Sequence, residues 1–292
     1  MIPLTKEVTR LRLTSPEVIK KIMSEGGLRF NKSLGQNFLI DESVLDGIIA
    51  ASGVNQTVGV IEVGPGIGTL TQALAEHAAK VAAIELDRGI AAYLRQAFAS
   101  RGNVEILQGD ALKMDFGSVI AERFGGMPVS VVANLPYYIT TPLIMKFLEN
   151  NLQIDAVTVM VQKEVAERLT AAPASPAYGA LSVAAQFHST PRMITTVPPH
   201  CFMPPPKVTS AVIRLDLKHH VKPSAADEKK MFRVVKAAFG QRRKTLVNAL
   251  SAAFAMPKDA LRALVAEVCG NENARGETLG IREFIQISEK IY

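Results

Sequence analysis

The stretch Val58–Thr71, with the sequence VGVIEVGPGIGTLT, constrains the fold of this 292-residue chain more than any other. Its β-branched, apolar first half predicts a buried strand, and a helical pattern starts near Leu70. Between them lie three glycines at alternate positions, Gly64, Gly66 and Gly68. A strand, a glycine turn and a helix in succession bring backbone N–H groups close to a nucleotide-like ligand. The stretch therefore predicts an α/β fold with a ligand site at the end of this strand.

The glycine spacing differs from that of the two common nucleotide-binding motifs. A dinucleotide fingerprint needs a third glycine where Thr69 stands, and no Walker-type sequence is present. The order E-x-G-x-G-x-G, which starts at Glu62, resembles instead the first motif of class I S-adenosylmethionine-dependent methyltransferases. The alternative is a glycine-rich turn that serves packing alone.

Length and composition fit a protein of two domains. A chain of 292 residues suits one large and one small domain, and a hydrophobic content of 48% supports a substantial core. The apolar runs are too short to span a bilayer, and the start of the chain lacks the layout of a signal peptide. Cys201 and Cys269 form no Cys/His cluster, so we expect no metal site and two free thiols in a reducing cytoplasm.

Charge is distributed unevenly along the chain. Residues 1–36 carry 7 basic against 3 acidic side chains, residues 37–206 carry 10 against 15, and residues 207–292 carry 16 against 9. An acidic body between two basic ends predicts a polyanionic partner, with nucleic acid as the leading candidate. Ordinary solvated lysines are the alternative. At the amino-terminal end the candidate phosphate contacts are Lys6, Arg10, Arg12, Lys20 and Lys21.

Strand and helix patterns alternate through the first half of the chain. This alternation predicts a mostly parallel, Rossmann-like sheet covered by helices on both faces. The predicted strands are 58–63, 81–84, 104–107, 129–133 and 156–161, and the helices among them are 42–52, 89–100 and 141–150.

The pattern changes after residue 190. Two β-like runs, 193–197 and 208–217, predict an antiparallel hairpin of the kind that ends the sheet of class I methyltransferases. From residue 219 the chain becomes helical, which predicts a small all-helical domain. We therefore place a domain boundary near residue 218. Together with the glycine motif and the basic ends of the chain, this boundary leads us to expect a methyltransferase domain over 1–218, with a basic N-terminal extension, and a helical domain over 219–292 that contacts RNA. The predicted helices of the second domain are 227–239, 244–255, 258–269 and 281–292.

Two carboxylates follow predicted strands, at the ends where open α/β sheets bind ligands. Glu85 lies 19 residues after Gly66, near the offset of an acid that binds ribose hydroxyls. Asp110 is placed to accept a hydrogen bond from the exocyclic amine of an adenine. Either acid alone could merely cap a helix, but their order favours a nucleoside-bearing cofactor.

Asn134-Leu135-Pro136-Tyr137 is the most specific feature of the sequence. It resembles the motif of methyltransferases that modify exocyclic amino groups of bases. The Asn134 oxygen and a backbone carbonyl next to Pro136 can hold the two amino hydrogens and direct the nitrogen lone pair at a methyl group. Tyr137 can stack on the extruded base. The alternative is a strand-ending Asn-x-Pro turn.

Phe202–Ser210, FMPPPKVTS, contains prolines that stiffen a loop. We expect this loop to present Phe202 as the second aromatic face around the target adenine. A core phenylalanine beside a proline turn is the alternative.

Several ordered segments resemble one family along nearly the whole chain: the bacterial small-subunit ribosomal RNA adenine dimethyltransferases, known as kasugamycin-susceptibility enzymes. The segments are NKSLGQNFLID, IEVGPGIGTLT, AIELD, GDALK, NLPYYITTPLI, YGALSV, FMPPPKVTS and FGQRRKTLVNAL.

The resemblance implies S-adenosylmethionine as methyl donor, with no metal. It implies dimethylation of N6 on two adjacent adenosines in the 3′-terminal hairpin of small-subunit (16S) rRNA, within the 30S subunit or its precursor. We expect a monomer that acts in the cytoplasm without a membrane. The implied cofactor shell is Asn37, Leu39, Gly64, Gly66, Glu85, Asp110 and Asn134, and the implied acceptor site is Asn134, Leu135, Pro136, Tyr137 and Phe202.

Arg242, Arg243 and Lys244 form a basic block on a predicted helix. Three consecutive cations are suited to phosphate contact, which positions RNA without reading its sequence. A solvated helix face is the alternative. The loop 170–177, TAAPASPA, has no basic residue where relatives often carry one, which argues against an RNA contact from this loop.

Two other functions remain open. Macrolide-resistance methylases, which modify large-subunit (23S) rRNA, resemble this chain through its first two hundred residues, but FGQRRKTLVNAL is similar to the small-subunit enzymes. A ribosome assembly factor with secondary catalysis is the other alternative. The presence of Asn134, Tyr137 and Phe202 argues that the chemistry is retained.

Overall fold

The computed structural model describes residues 12–26, 28, 36–150, 152–218 and 224–292. In chain order its elements are α1 (Pro16–Glu25), β1 (Phe38–Leu39), α2 (Glu42–Ser52), β2 (Gly59–Val63), α3 (Thr69–His77), β3 (Lys80–Glu85), α4 (Arg88–Ala97), β4 (Val104–Gln108), α5 (Phe116–Phe124), β5 (Val129–Asn134), α6 (Thr140–Glu149), β6 (Ala156–Gln162), α7 (Lys163–Thr170), α8 (Ala180–His188), β7 (Ser189–Val197), β8 (Phe202–Met203), β9 (Ser210–Leu217), α9 (Ala225–Gly240), α10 (Leu246–Ser251), α11 (Lys258–Cys269) and α12 (Ile281–Ile291).

Seven strands form the central sheet, in the order β4-β3-β2-β5-β6-β9-β7. β2 pairs in parallel with β3 and β5, β3 pairs in parallel with β4, and β5 with β6. β9 runs antiparallel to β6, and β7 lies beyond β9 at the edge. The predicted fold class, a mostly parallel Rossmann-like sheet with late antiparallel strands and a helical carboxyl-terminal region, is confirmed.

A second, two-stranded sheet joins distant parts of the chain. β1 pairs antiparallel with β8, so that Phe38 faces Met203 and Leu39 faces Phe202. The Ile40 N–H continues the pairing by donating to the Cys201 carbonyl at 2.8 Å. This short ladder fixes the segment that leads from the described residue Gln36 into α2.

Local sequence explains why the helices start where they do. Asp41 caps α2 by accepting from the Val44 N–H at 3.2 Å, and Asp87 caps α4 by accepting from the Ile90 N–H at 3.0 Å. In α4 the buried side chains recur at helical spacing, which places one apolar stripe against β3 and β4. All five residues of β2 are buried, as expected of a strand inside a parallel sheet.

The chain divides into two compact units. The first combines Met1–Ala166 with Arg192–Leu217, and the second combines Glu167–Pro191 with Lys218–Tyr292. The second unit therefore contains Glu167–Pro191, a segment that the sequence assigns to the methyltransferase domain. Its buried Tyr178 donates to the Leu279 carbonyl at 2.8 Å and packs edge-on against Phe239, which ties this segment to the carboxyl-terminal helices.

The helical pattern of the second unit is interrupted where the sequence predicts continuity. Residues 241–244 form a turn between α9 and α10, so the placement of the basic block on a helix is wrong. The interruption has a local cause, since Thr245 is extended at the amino-terminal cap of α10. The predicted helix 244–255 is reduced to Leu246–Ser251. Within the described parts of the chain, no helix combines the length and apolarity needed to cross a membrane.

Tyr178→Phe should lower the free energy of unfolding by about 1–3 kcal/mol, because it leaves the Leu279 carbonyl buried without its donor. Urea denaturation of the full chain measures this loss. The matched control is Tyr292→Phe, at a tyrosine that is 52% exposed, whose effect should stay within about 0.5 kcal/mol. Equal, negligible losses in both variants would contradict the structural role given to Tyr178.

Candidate active site

A cavity opens at the carboxyl ends of β2, β3, β4 and β5, and polar residues at or just after these strand ends line it. The space within the cavity, together with the solvent-open region at its mouth, is about 1020 Å³. Of the residues predicted for the site, the structure brings to its wall Asn37, Leu39, Gly64, Gly66, Glu85, Asp110, Asn134, Leu135, Pro136 and Tyr137.

The glycine turn forms one wall of the cavity. The Gly64 N–H donates to the Ile84 carbonyl at 3.0 Å, which fixes the turn to the neighbouring strand. Gly66 has a φ of +58°, and a Cβ at this position would lie 2.9 Å from the Phe38 ring. Both the backbone angle and the space therefore require glycine here. Gly68 then stands at the amino-terminal cap of α3.

Glu85 is a buried acid at the end of β3. Its Oε1 accepts from the Asp87 N–H at 2.8 Å, and the Gly66 N–H also donates to the carboxyl group. Burial raises the pKa of Glu85 above its ordinary value, and these backbone donors oppose the rise. Backbone donors thus hold the carboxyl group in place on the wall of the cavity.

Asp110 follows β4 and is about one-third exposed, at 35% of its side chain. Its Oδ1 accepts from the Leu112 N–H at 2.9 Å. Its Oδ2 lies 3.8 Å from Lys113 Nζ, at the limit of an ion pair. The carboxylate is therefore held by its own turn and retains acceptor capacity toward the cavity.

Asn134 ends β5 with a fixed amide orientation. Its Nδ2 donates to the Asn37 carbonyl at 3.2 Å, which leaves the Oδ1 as the acceptor of this side chain. The Pro136 carbonyl already accepts from the Ile139 N–H at 3.2 Å and the Thr140 hydroxyl at 3.1 Å. Among the described residues no donor reaches the Leu135 carbonyl, so that group is the second available acceptor of the segment.

Two consecutive tyrosines extend the site from Pro136. The Tyr137 hydroxyl lies 2.6 Å from the Ser210 hydroxyl, and burial raises the Tyr137 pKa above its ordinary value, so the phenol stays neutral. Tyr138 lines the cavity and is 52% exposed. Sequence reasoning missed Tyr138, although the aromatic doublet directly after Asn-Leu-Pro was a signal for it.

Phe202 does not lie on the cavity wall. Its side chain is only 2% exposed and belongs to a hydrophobic cluster with Leu39, Ile48 and Val60. The cause is the antiparallel pairing of Leu39 with Phe202, which draws the ring into the core. The structure thus corrects the expectation that this ring is presented at the cavity as an aromatic face.

Glu62 is a second buried acid, and it also lines the cavity. Its Oε2 accepts from the Thr71 hydroxyl at 2.6 Å. Burial raises the pKa of Glu62 from its ordinary 4.5 to about 8, and the nearby Glu85 adds to the rise. The carboxyl group is therefore protonated at neutral pH.

The three predicted basic contacts in the second unit differ in environment. Arg242 pairs with Glu277 at 3.1 Å and donates to the Pro176 carbonyl at 2.8 Å, so it holds the loop before α8. Arg243 and Lys244 are exposed in the turn, and neither has a side-chain partner among the described residues. Of the amino-terminal candidates, Lys6 and Arg10 lie outside the described residues.

The mostly parallel sheet, with a glycine turn after β2 and polar strand ends around one cavity, is the architecture of class I methyltransferases. The fold and the cavity together define a protein of that class.

Comparison with known proteins narrows the class. The profile described as "Ribosomal RNA adenine dimethylase" matches residues 27–291. A ribosomal RNA small subunit methyltransferase A from Alkaliphilus oremlandii is 48% identical, over 94% of this chain and 96% of that protein. A dimethyladenosine transferase from Plasmodium falciparum is similar in structure, with a TM-score of 0.72 at 25% identity over 86% of this chain and 95% of that one.

The 23S rRNA methyltransferase ErmE has a TM-score of 0.70 at 23% identity, over 87% of this chain and 99% of that one, a likeness of fold. From the matched profile and the close relative, the chain belongs to the ribosomal RNA adenine dimethylase family. It is an S-adenosylmethionine-dependent methyltransferase whose substrate is ribosomal RNA.

Glu62→Gln should change how stability depends on pH. Because the folded chain binds the Glu62 proton more tightly than the unfolded chain, stability is lost as the pH rises from 4.5 to about 8. The substitution removes this dependence, so the variant should gain relative stability by up to about 1.4 kcal/mol per pH unit in that window.

Urea unfolding of both proteins near the two ends of this window measures the difference. Glu25→Gln, at an exposed acid of the same unit, is the matched control and should show no such gain. A stability difference for Glu62→Gln that does not vary with pH would contradict the buried, protonated state.

Proposed function

We propose that the chain dimethylates N6 of two adjacent adenosines in the 3′-terminal hairpin of small-subunit (16S) rRNA, in ribosome biogenesis. The observation that carries the proposal is the position of Asn134–Tyr137 on the same cavity as the glycine turn. The name of the Alkaliphilus oremlandii relative, a small-subunit methyltransferase, supports the choice of RNA.

The cavity wall fits a nucleoside-bearing methyl donor. Glu85, already positioned by backbone N–H groups, is suited to accept from ribose hydroxyls, and Asp110 to accept from the exocyclic amine of the adenine. Gly66 permits close approach to the backbone, and Asn37 and Leu39 also line the cavity. When bound, S-adenosylmethionine supplies a methyl group on a positively charged sulfonium that departs as a neutral thioether.

The acceptor chemistry is assigned to Asn134 and Leu135. The N6 lone pair of adenine is delocalised into the ring, so nitrogen is a poor nucleophile until its geometry changes. The Asn134 Oδ1 and the Leu135 carbonyl accept the two amino hydrogens and direct the lone pair, an effect of orientation and electrostatics. No ionised base is needed for this role. The Asn37 carbonyl supports it by holding the amide in the accepting orientation.

Tyr137 is assigned to stacking on the extruded base, which is worth roughly 1–3 kcal/mol. Its hydroxyl contact with Ser210 fixes the ring direction. Phe202 lies in the core in this structure, so the second aromatic face assigned to it would require the loop to rearrange when RNA binds. Tyr138 is the exposed aromatic side chain already at the cavity.

The 30S subunit or its precursor is the proposed partner, bound by a monomer in the cytoplasm. Arg243 and Lys244 are the proposed phosphate contacts, since both are exposed without partners among the described residues. Arg242 is the weaker candidate, because its guanidinium is used within the second unit.

Transfer of labelled methyl groups to purified, undermethylated 30S and 50S particles tests the choice of RNA. Dimethyladenosine in RNA from 30S particles supports the proposal. Label confined to RNA from 50S particles would favour the large-subunit alternative and contradict the proposal.

Asn134→Ala should lower the rate of methyl transfer by about 10²–10³-fold, the usual cost of removing one hydrogen-bonding group at a reacting centre. Binding to the 30S particle should stay close to normal. Single-turnover methylation and a particle binding assay measure the two effects. The matched control is Asn55→Ala, at an exposed asparagine of the same unit. Normal turnover in Asn134→Ala would show that the binding site for the target adenine is misassigned. Lost turnover with retained binding is compatible with an assembly role beside catalysis.

Replacing Arg243 and Lys244 together by glutamine should weaken RNA affinity and flatten its salt dependence. Each phosphate that is no longer neutralised by a cation reduces the slope of log K against log salt concentration by about 0.7–0.9. Arg262→Gln, at an exposed arginine that pairs with Asp259 on its own helix, is the control. An unaltered slope in the double variant would identify a solvated surface instead of an RNA contact.

A further inference from the structure

Lys146 makes a set of hydrogen bonds that the proposed chemistry does not use. Its Nζ donates to the carbonyls of Ala111, Leu112 and Met114 at 3.2, 2.7 and 2.7 Å. An ammonium group has three donors, and here one short turn takes all of them. Hydrogen bonds from a charged donor are stronger than neutral ones, so the turn is firmly held from outside.

The turn that Lys146 holds carries Asp110. The Lys113 and Met114 N–H groups donate to the Asp110 carbonyl at 2.9 and 3.0 Å. The Leu112 N–H donates to the Asp110 carboxylate at 2.9 Å. The N–H groups of the turn therefore donate to Asp110, whereas the carbonyl groups of the turn accept from Lys146. Asp110 and Ala111 both line the cavity.

Lys146 reaches this turn from the helix that follows the proposed binding segment for the target adenine. It lies on α6, which begins directly after the Asn134–Ile139 segment. The first residue of α6, Thr140, donates from its hydroxyl to the Pro136 carbonyl at 3.1 Å. The helix α6 thus contacts the Asn134–Ile139 segment through Thr140, at its start. Through Lys146, about two helical turns further on, it contacts the turn that carries Asp110.

The surroundings of Lys146 hold its side chain in this position. Its Nζ lies 5.3 Å from the centre of the buried Phe116 ring, which packs edge-on against Phe147 of α6. The Asp115 carboxylate is within electrostatic reach and caps α5 by accepting from the Gly117 N–H at 2.9 Å. A purely structural role, as a support for the start of α5, is therefore the alternative.

We propose that Lys146 is a positioning residue that sets the Asp110 turn for recognition of the methyl donor's adenine. The proposal rests on the role given to Asp110 in the proposed function. Without the ammonium, three carbonyls lose their common donor, and the turn whose Leu112 N–H directs the Asp110 carboxylate loses its external support. Lys146 then affects how tightly the methyl donor binds and how well the site distinguishes the adenine of that donor from other bases. It does not act on the methyl-transfer step itself.

A double-mutant cycle on the full chain tests the coupling. Calorimetry with S-adenosylhomocysteine measures the Kd of Lys146→Met, Asp110→Asn and the double variant. Each single variant should raise the Kd about tenfold, and the double variant should raise it no further. A rise of about a hundredfold in the double variant would show independent effects and overturn the inference.

The remaining outcomes separate the two proposals. Normal affinity in Lys146→Met with weakened affinity in Asp110→Asn overturns the Lys146 inference alone. Normal affinity in Asp110→Asn removes the Asp110 role from the proposed function, and the inference falls with it.

Two measurements distinguish a positioning role of Lys146 from a role as support for the start of α5. They are the selectivity of the site for adenine in the bound ligand and the thermal stability of the variants. The analogue of S-adenosylhomocysteine with hypoxanthine in place of adenine should bind the native chain more weakly than the parent compound, and Lys146→Met should lose most of that difference. Lys146→Arg, which keeps a cation, should restore it in part. Asp115→Ala, which removes the α5 cap, should lower the melting temperature and leave selectivity unchanged. Equal loss of selectivity in Asp115→Ala and Lys146→Met would identify a structural role and overturn the inference.

Discussion

The parallel pairing of β2 with β3 and β5 is the constraint on which the rest of the structure depends. Parallel strands end at the same edge of a sheet, so the glycine turn, Glu85 and Asn134 meet there although they are far apart in the chain. The register leaves these ends nearly level, with Val63 beside Ile84. A cavity at this edge is the direct consequence, and the site is built from whatever the strand ends carry.

The cavity is held by backbone groups more than by side chains. Glu85 is positioned by N–H groups of Gly66 and Asp87, and the Asn134 amide by the Asn37 carbonyl. Such hydrogen bonds keep reacting groups in place without motion at the moment of reaction. The two acids also cost stability, since burial removes the carboxyl groups of Glu62 and Glu85 from water. Function explains why this edge keeps polar groups that a simple core would exclude.

The order of strands and helices and the polar residues at the strand ends could be predicted from local patterns. Both depend only on residues that are close together in the sequence. Phe202 shows where such reasoning fails. Its proline-rich loop suggested a ring presented to a base, but pairing with Leu39 places it in the core. The basic block shows a second limit, since Arg242 pairs with Glu277 while the adjacent Arg243 has no such partner among the described residues.

The sequence by itself determined the order of the elements, the glycine turn and the types of residue at the strand ends, because each depends on neighbours within a few positions. Only the tertiary structure decided which carbonyl orients Asn134, a hydrogen bond between residues 97 positions apart, and which turn Lys146 holds. The physical reason is that a hydrogen bond between distant residues needs both ends brought together by packing, and packing is a property of the whole chain.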